Sequence, residues 1–180
     1  MSSSARYGRR RPRARRFITR PSAFPHDRPM IGSKALPAFD GAKIALFRGE
    51  SLLVMLRDDR PDLSWPGAWD LPGGGREGNE TPVACALREL EEEFGLRLPP
   101  GRLFWHRIYP RPGLLPAHFF AGTLSSAEVT AIRFGNEGQE WRLMPVAEFV
   151  AHPKAVPVLR SRVADCLAAG FRPEAATSGQ

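Results

Sequence analysis

Two cysteines, Cys85 and Cys166, are too few for a disulfide framework, and neither has a partner at metal-ligand spacing. No run approaches the ~20 apolar residues needed to span a bilayer as a helix. An apolar signal-peptide core is also missing, so the expected compartment is the cytosol, with no membrane partner. Lysine is scarce, at three against 23 arginines, a bias typical of GC-rich coding. No internal repeat or second hydrophobic unit divides the chain. Its 180 residues are therefore expected to form one domain with a substantial core.

Acid is what the N-terminus lacks most. Residues 1–29 hold nine arginines and one acid, Asp27, for a net charge of +8. The remaining residues hold 17 basic and 18 acidic side chains, a net of −1, so the excess charge belongs to the tail alone. Three readings of that tail stay open. It suits a basic arm for RNA, DNA or an acidic surface, the only route by which a nucleic-acid partner is expected. It also suits an acid-poor organellar transit segment, or upstream sequence preceding a start at Met30. The expected organisation is a basic, disordered tail over 1–29, a domain over 30–172 and a disordered C-terminus over 173–180.

The chain is rich in acid at one place. Glu89, Glu92 and Glu93 stand at i, i+3 and i+4, just before Gly95. On a helix these offsets fall within about a quarter of the circumference. Like charges so placed repel by roughly 0.2–0.5 kcal/mol per pair, and they lie at the negative end of the helix dipole. Stability does not favour that arrangement; a divalent cation held by carboxylate oxygens does. Val83, Ala86, Leu87, Leu90 and Phe94 form a separate apolar stripe for the core. Thr81-Pro82 is a good helix start, and Gly95 a left-handed stop. Gly73-Gly74-Gly75 ahead of the helix gives a loop that brings backbone close to a ligand.

Around this helix the pattern predicts a hairpin of strands at 42–48 and 51–57, turning at Gly49-Glu50. A short strand at 68–71 follows, then the helix at 81–94. Strands are predicted at 103–109 and 115–124, joined by a turn at Pro110-Arg111-Pro112-Gly113. A helical turn at 125–132, a strand at 140–144 and helices at 145–151 and 157–169 complete the chain. The last helix should bury Val158, Leu159, Val163 and Leu167. Mixed strands with two main helices indicate an α/β or α+β layered domain.

Gly74, Glu80, Arg88, Glu89, Leu90, Glu92, Glu93, Gly95 and Leu96 meet every specified position of the signature of the Nudix hydrolases, which this chain therefore resembles. Pro66-Gly67-Ala68-Trp69-Asp70-Leu71-Pro72-Gly73-Gly74 is similar to the strand and loop that precede that signature, and a weaker likeness extends over about residues 38–168. The resemblance implies an α/β/α sandwich with a mixed central sheet. It implies hydrolysis of a diphosphate bond in a nucleoside diphosphate-X compound, such as an unmodified or oxidised nucleoside triphosphate, giving monophosphate and pyrophosphate. ADP-ribose or a nucleotide sugar is the alternative substrate, and an RNA-binding or regulatory role a further one.

Mg²⁺, with Mn²⁺ as substitute, is the implied cofactor: it takes oxygen ligands, keeps several waters and can activate one of them. Its implied ligands are Glu89, Glu92, Glu93 and the Gly73 carbonyl, with one glutamate also serving as base. Arg88 is implied to orient a catalytic glutamate, and Glu80 to fix the loop through backbone N–H groups. Glu137, in Glu137-Gly138-Gln139, resembles an extra carboxylate of triphosphate-cleaving relatives, with Glu140 a weaker counterpart. Trp65, Trp69, Phe119 and Phe120 are candidate stacking partners for a base, although strand aromatics belong more often to the core. Arg57, Arg76 and Arg107 are candidate phosphate holders. The implied partner is a small nucleotide, bound by a monomer or a homodimer.

Overall fold

The structure, a computed structural model, describes residues 37–173. The expectations for residues 1–29 and for 174–180 lie outside the described residues.

Among these residues the chain forms strands β1 (Gly41–Arg48), β2 (Ser51–Leu56), β3 (Trp69–Asp70), β4 (Gly73–Gly75), β5 (Leu103–Arg111), β6 (Leu114–Thr123) and β7 (Glu140–Pro145). Helices are α1 (Pro82–Phe94), α2 (Ser126–Ala131), α3 (Val146–Ala151) and α4 (Pro157–Ala168). One mixed sheet runs in the order β3-β2-β1-β6-β5, with β4 paired to β1 and β7 to β2. β1 and β6 are parallel over seven partners, from Gly41 opposite Ala117 to Phe47 opposite Thr123.

Alternation along β1 assigns its residues to two cores. Ile44 and Leu46 face the layer under α1, with Leu90, Phe94 and Phe120. Ala45 and Phe47 face the layer under α3 and α4, with Phe149, Leu159 and Val163. Burying each such Leu or Phe contributes about 1.5–3 kcal/mol. The α/β/α sandwich is thus the observed fold. Phe119 and Phe120 are fully or nearly fully buried core residues, and Trp69 is also buried.

Four features differ from the sequence pattern. The glycine run is the short strand β4, pairing Gly73 with Lys43 and Gly75 with Gly41, so the triplet is partly ordered by the sheet. Gly73 adopts φ +122°, and a Cβ there would meet the Ala42 carbonyl oxygen, which is why glycine is needed. The β5–β6 turn is tighter than expected, because Pro110 and Arg111 continue the strand. Residues 126–131 form a short helix rather than a single turn, held by a capping box between Ser125 and Glu128. In α4, Cys166 replaces Val158 in the buried stripe, while Val158 is exposed.

Candidate active site

Helix α1 is fixed at both ends by local chemistry. Thr81 Oγ1 accepts from the Ala84 N–H at 3.1 Å, and Gly95 closes the helix at φ 64°. The buried stripe, with Ala86, Leu90 and Phe94, sets the rotation of the helix. That rotation brings Glu89 and Glu93 against β4 and leaves Glu92 58% exposed. Glu93 is 5% exposed, and its Oε2 accepts from the Gly73 N–H at 2.9 Å. Burial pushes its carboxyl up to about 8, against partial relief from Lys43 and the Gly73 N–H. Burial likewise raises Glu89. The Glu89 carboxyl packs directly on Gly74, where a Cβ would stand 2.4 Å from it.

Arg88 ties the acids together. Its guanidinium lies 2.9 Å from Glu80 Oε1, Glu89 Oε1 and Glu92 Oε2, and Nη2 donates to the Gly75 carbonyl at 3.0 Å. The Arg88 hydrogen bond holds Glu80 below its ordinary value. Glu80 also accepts from the Glu77 N–H at 2.7 Å, as expected for a loop-fixing residue. Glu91 points away and pairs with Arg97. Cys85 is buried under the same strand, its Sγ 3.3 Å from the Gly75 carbonyl oxygen, and burial pushes its thiol up to about 12. A thiol held in that state is inert packing.

The donor set fits a hard divalent cation. Glu89, Glu92, Glu93 and the carbonyls of the glycine strand offer only oxygen. The Gly74–Glu89 contact leaves no room for a side chain between carboxyl and backbone. Glu93 is a buried carboxyl that accepts from the Gly73 N–H and forms no ion pair with a described residue. Among the described residues, however, no three acid, histidine or cysteine side chains already converge on one point. Arg88 instead supplies the positive charge between Glu89 and Glu92.

Glu137 is not brought into this network. It is exposed in the loop before β7, with no hydrogen bond or ion pair to a described residue, and Glu140 is exposed at the start of β7. The loop itself touches the helix, since the Gly135 N–H donates to the Glu93 carbonyl at 2.8 Å.

A cleft of about 610 Å³ opens beside β4, lined at that end by Gly74 and Gly75 rather than by the glutamates. Its floor carries a group the sequence reading missed. Asp70, 2% exposed, accepts from Lys43 Nζ at 2.9 Å and Arg57 Nη1 at 2.7 Å. A lone lysine inside the apolar run of β1 was the available signal. Arg57 is thus at the cleft, whereas Arg76 lies over the Phe39 ring and Arg107 pairs with Asp165. Trp65 is 52% exposed at the rim, with φ +57°, the one non-glycine residue with positive φ among those described.

This topology, with the signature run laid across β4 and α1, defines the Nudix-fold class of hydrolases. The NUDIX domain model matches residues 38–166, and the chain belongs to that family. Pyrophosphohydrolases are among its relatives. An RNA pyrophosphohydrolase of Acidiphilium cryptum is 46% identical over 68 residues, covering 37% of this chain and 40% of the relative. A putative 8-oxo-dGTP diphosphatase of Mycobacterium tuberculosis is 44% identical over 54 residues, covering 30% of this chain and 37% of the relative. The chain thus spans about two-fifths of the length of these curated relatives. The solved MutT protein of Methanosarcina mazei Go1 superposes with a TM-score of 0.59 at 18% identity, covering 76% of this chain and 97% of that one, a likeness of fold.

Proposed function

We propose that the protein hydrolyses a nucleoside 5′-triphosphate, unmodified or oxidised, to the monophosphate and pyrophosphate in the presence of Mg²⁺, for which Mn²⁺ can substitute. The observation that carries this reading is the pair of desolvated carboxylates, Glu89 and Glu93, pressed against a glycine strand beside a cation-lined cleft. Glu89, Glu92, Glu93 and the Gly73 carbonyl would hold the metal, which supplies charge neutralisation and an activated water when bound. Arg88 fixes the directions of Glu89 and Glu92 through its short ion pairs. One of the three glutamates takes the proton as water oxygen bonds to phosphorus and the bridging P–O bond breaks. Lys43 and Arg57, steadied by Asp70, face the phosphates from the cleft floor. Glu137, on the loop anchored to Glu93, is a supplementary base candidate. The names of the relatives, which refer to RNA and to an oxidised deoxynucleoside triphosphate, support a triphosphate substrate.

The test is a substrate panel with mass analysis of the products, comprising nucleoside triphosphates, their 8-oxo forms, 5′-triphosphorylated RNA and ADP-ribose. Release of pyrophosphate from a triphosphate is the expected result. Cleavage of ADP-ribose with triphosphates untouched contradicts the reading and favours a nucleotide-sugar pyrophosphatase.

A further inference from the structure

Among the described residues, the far end of the cleft holds a cation with no paired anion. Four basic side chains line the cavity, Lys43, Arg57, Arg111 and Arg162. The first two share Asp70, and Arg111 pairs with Asp40. Arg162, on α4, makes no hydrogen bond or ion pair with any described residue. Its guanidinium rests instead on the Tyr109 ring, 4.6 Å from the centroid. Asp165, on the same helix, is already engaged, since it accepts from Tyr109 Oη at 3.0 Å and pairs with Arg107 at 3.4 Å. Burial opposes the Arg162 charge, Tyr109 favours it, and the neighbouring Arg111 opposes it to a smaller extent. A guanidinium so placed has its planar donors free for an anion, and they suit phosphate.

Register sets how far this end of the cleft lies from β4. Gly75 pairs with Gly41, Gly41 with Ala117, and Ala117 with Tyr109, one row across four strands. Three strand spacings separate β4 from Tyr109, about 14 Å. The stacking on Tyr109 keeps the guanidinium at that end. A contiguous third phosphate of a triphosphate chain held beside Gly74 does not extend so far, whereas a nucleotide laid along the cleft carries the 3′ side of its ribose there.

We infer that Arg162 is a second anion site of the cleft, three strand spacings along the sheet from β4, and binds a phosphate on the 3′ side of the substrate's ribose. This rests on the reading of the cleft as the nucleotide site. The 3′-phosphate can belong to an RNA chain, where it is the next phosphodiester, or to a small nucleotide phosphorylated at that position. Either way, Arg162 is a specificity-determining residue.

Equilibrium binding without metal separates this inference from the proposed activity, because no turnover is needed. Adenosine 3′,5′-bisphosphate should bind the wild-type protein about tenfold or more tighter than adenosine 5′-monophosphate, the worth of a charge-assisted contact. Arg162→Gln should erase the preference, and Arg162→Lys should retain part of it, with melting curves confirming the fold. The 5′-triphosphorylated dinucleotide pppApA, compared with ATP, identifies the source. A gain with pppApA as well as with the bisphosphate assigns the site to RNA, and a gain with the bisphosphate alone to a terminal 3′-phosphate. No preference in the wild type, or a preference that survives Arg162→Gln, overturns the inference. Failure of triphosphate hydrolysis with the preference intact would instead count against the proposed activity alone.

Discussion

Two ion clusters flank β4, and their charge patterns are inverted. On the α1 side one cation, Arg88, lies within 4 Å of four acids, Glu77, Glu80, Glu89 and Glu92, with Glu93 buried nearby. On the α4 side one acid, Asp70, holds two cations, Lys43 and Arg57. The first cluster gathers surplus acid around one cation, and the second gathers surplus cation around one acid. Neither is what folding alone favours, since buried charges usually balance. A cation on one side and an anion on the other satisfy both, which is the pairing that a metal-phosphate substrate offers. The glycine strand between them is thin because a Cβ at Gly73 would collide with the Ala42 carbonyl and one at Gly74 with the Glu89 carboxyl, while Gly75 faces open space.

Several substitutions break this inversion, and the largest effect falls on the acid cluster. Glu93→Gln keeps the shape and removes the charge, so kcat should fall by about 10²–10⁴-fold with the fold retained. Near-wild-type turnover in purified enzyme of unchanged melting temperature would refute its role. Asp70→Ala should cost about 3–5 kcal/mol in denaturant unfolding, because it strands two partly buried cations. A loss below about 1 kcal/mol would mean that Lys43 and Arg57 do not depend on it.

Gly74→Ala is subtler. The clash is with the far end of a flexible side chain, so the fold should survive while Glu89 is displaced. Mg²⁺ affinity by calorimetry should then drop about 10–100-fold, as for other supporting-shell changes. Unchanged affinity would remove the Gly74–Glu89 contact from the account.

The pH dependence follows from Glu93, whose carboxyl sits near 8 in the fold against 4.5 in the unfolded chain. The protonated form is favoured in the fold. Its contribution is therefore full below about 4.5 and is lost as pH rises toward about 8. Melting curves of metal-free wild type should fall relative to those of Glu93→Gln across that window, and Mg²⁺ should remove the difference. Parallel curves would show that Glu93 is already compensated. The smallest effect belongs to Thr81→Ala, about 1 kcal/mol for the lost helix cap.

The acid cluster was legible in the sequence because its members are local. Offsets along one helix fix a shared face whatever the tertiary structure, and Gly95 and Thr81 marked the ends of that helix. Of the basic cluster only Arg57 was named from the sequence, because Lys43 on β1, Asp70 on β3 and Arg57 just past β2 become neighbours only after the sheet forms. Arg162 was invisible for the same reason: it meets Tyr109 across a separation of more than fifty residues. Periodicity misjudged Val158, since a residue beside a cleft obeys the pattern of the core without being covered. The glycine triplet read as a loop because glycine carries no strand signal, and β1 imposed the pairing.

The most direct test of the inverted pair is the melting temperature with and without Mg²⁺ for wild type and for the double variant Glu89→Gln, Glu93→Gln. A ligand that binds only the folded state raises that temperature. The wild type should show a rise that saturates with Mg²⁺, and the double variant none. An equal rise in both would contradict the assignment of the cation to this helix face.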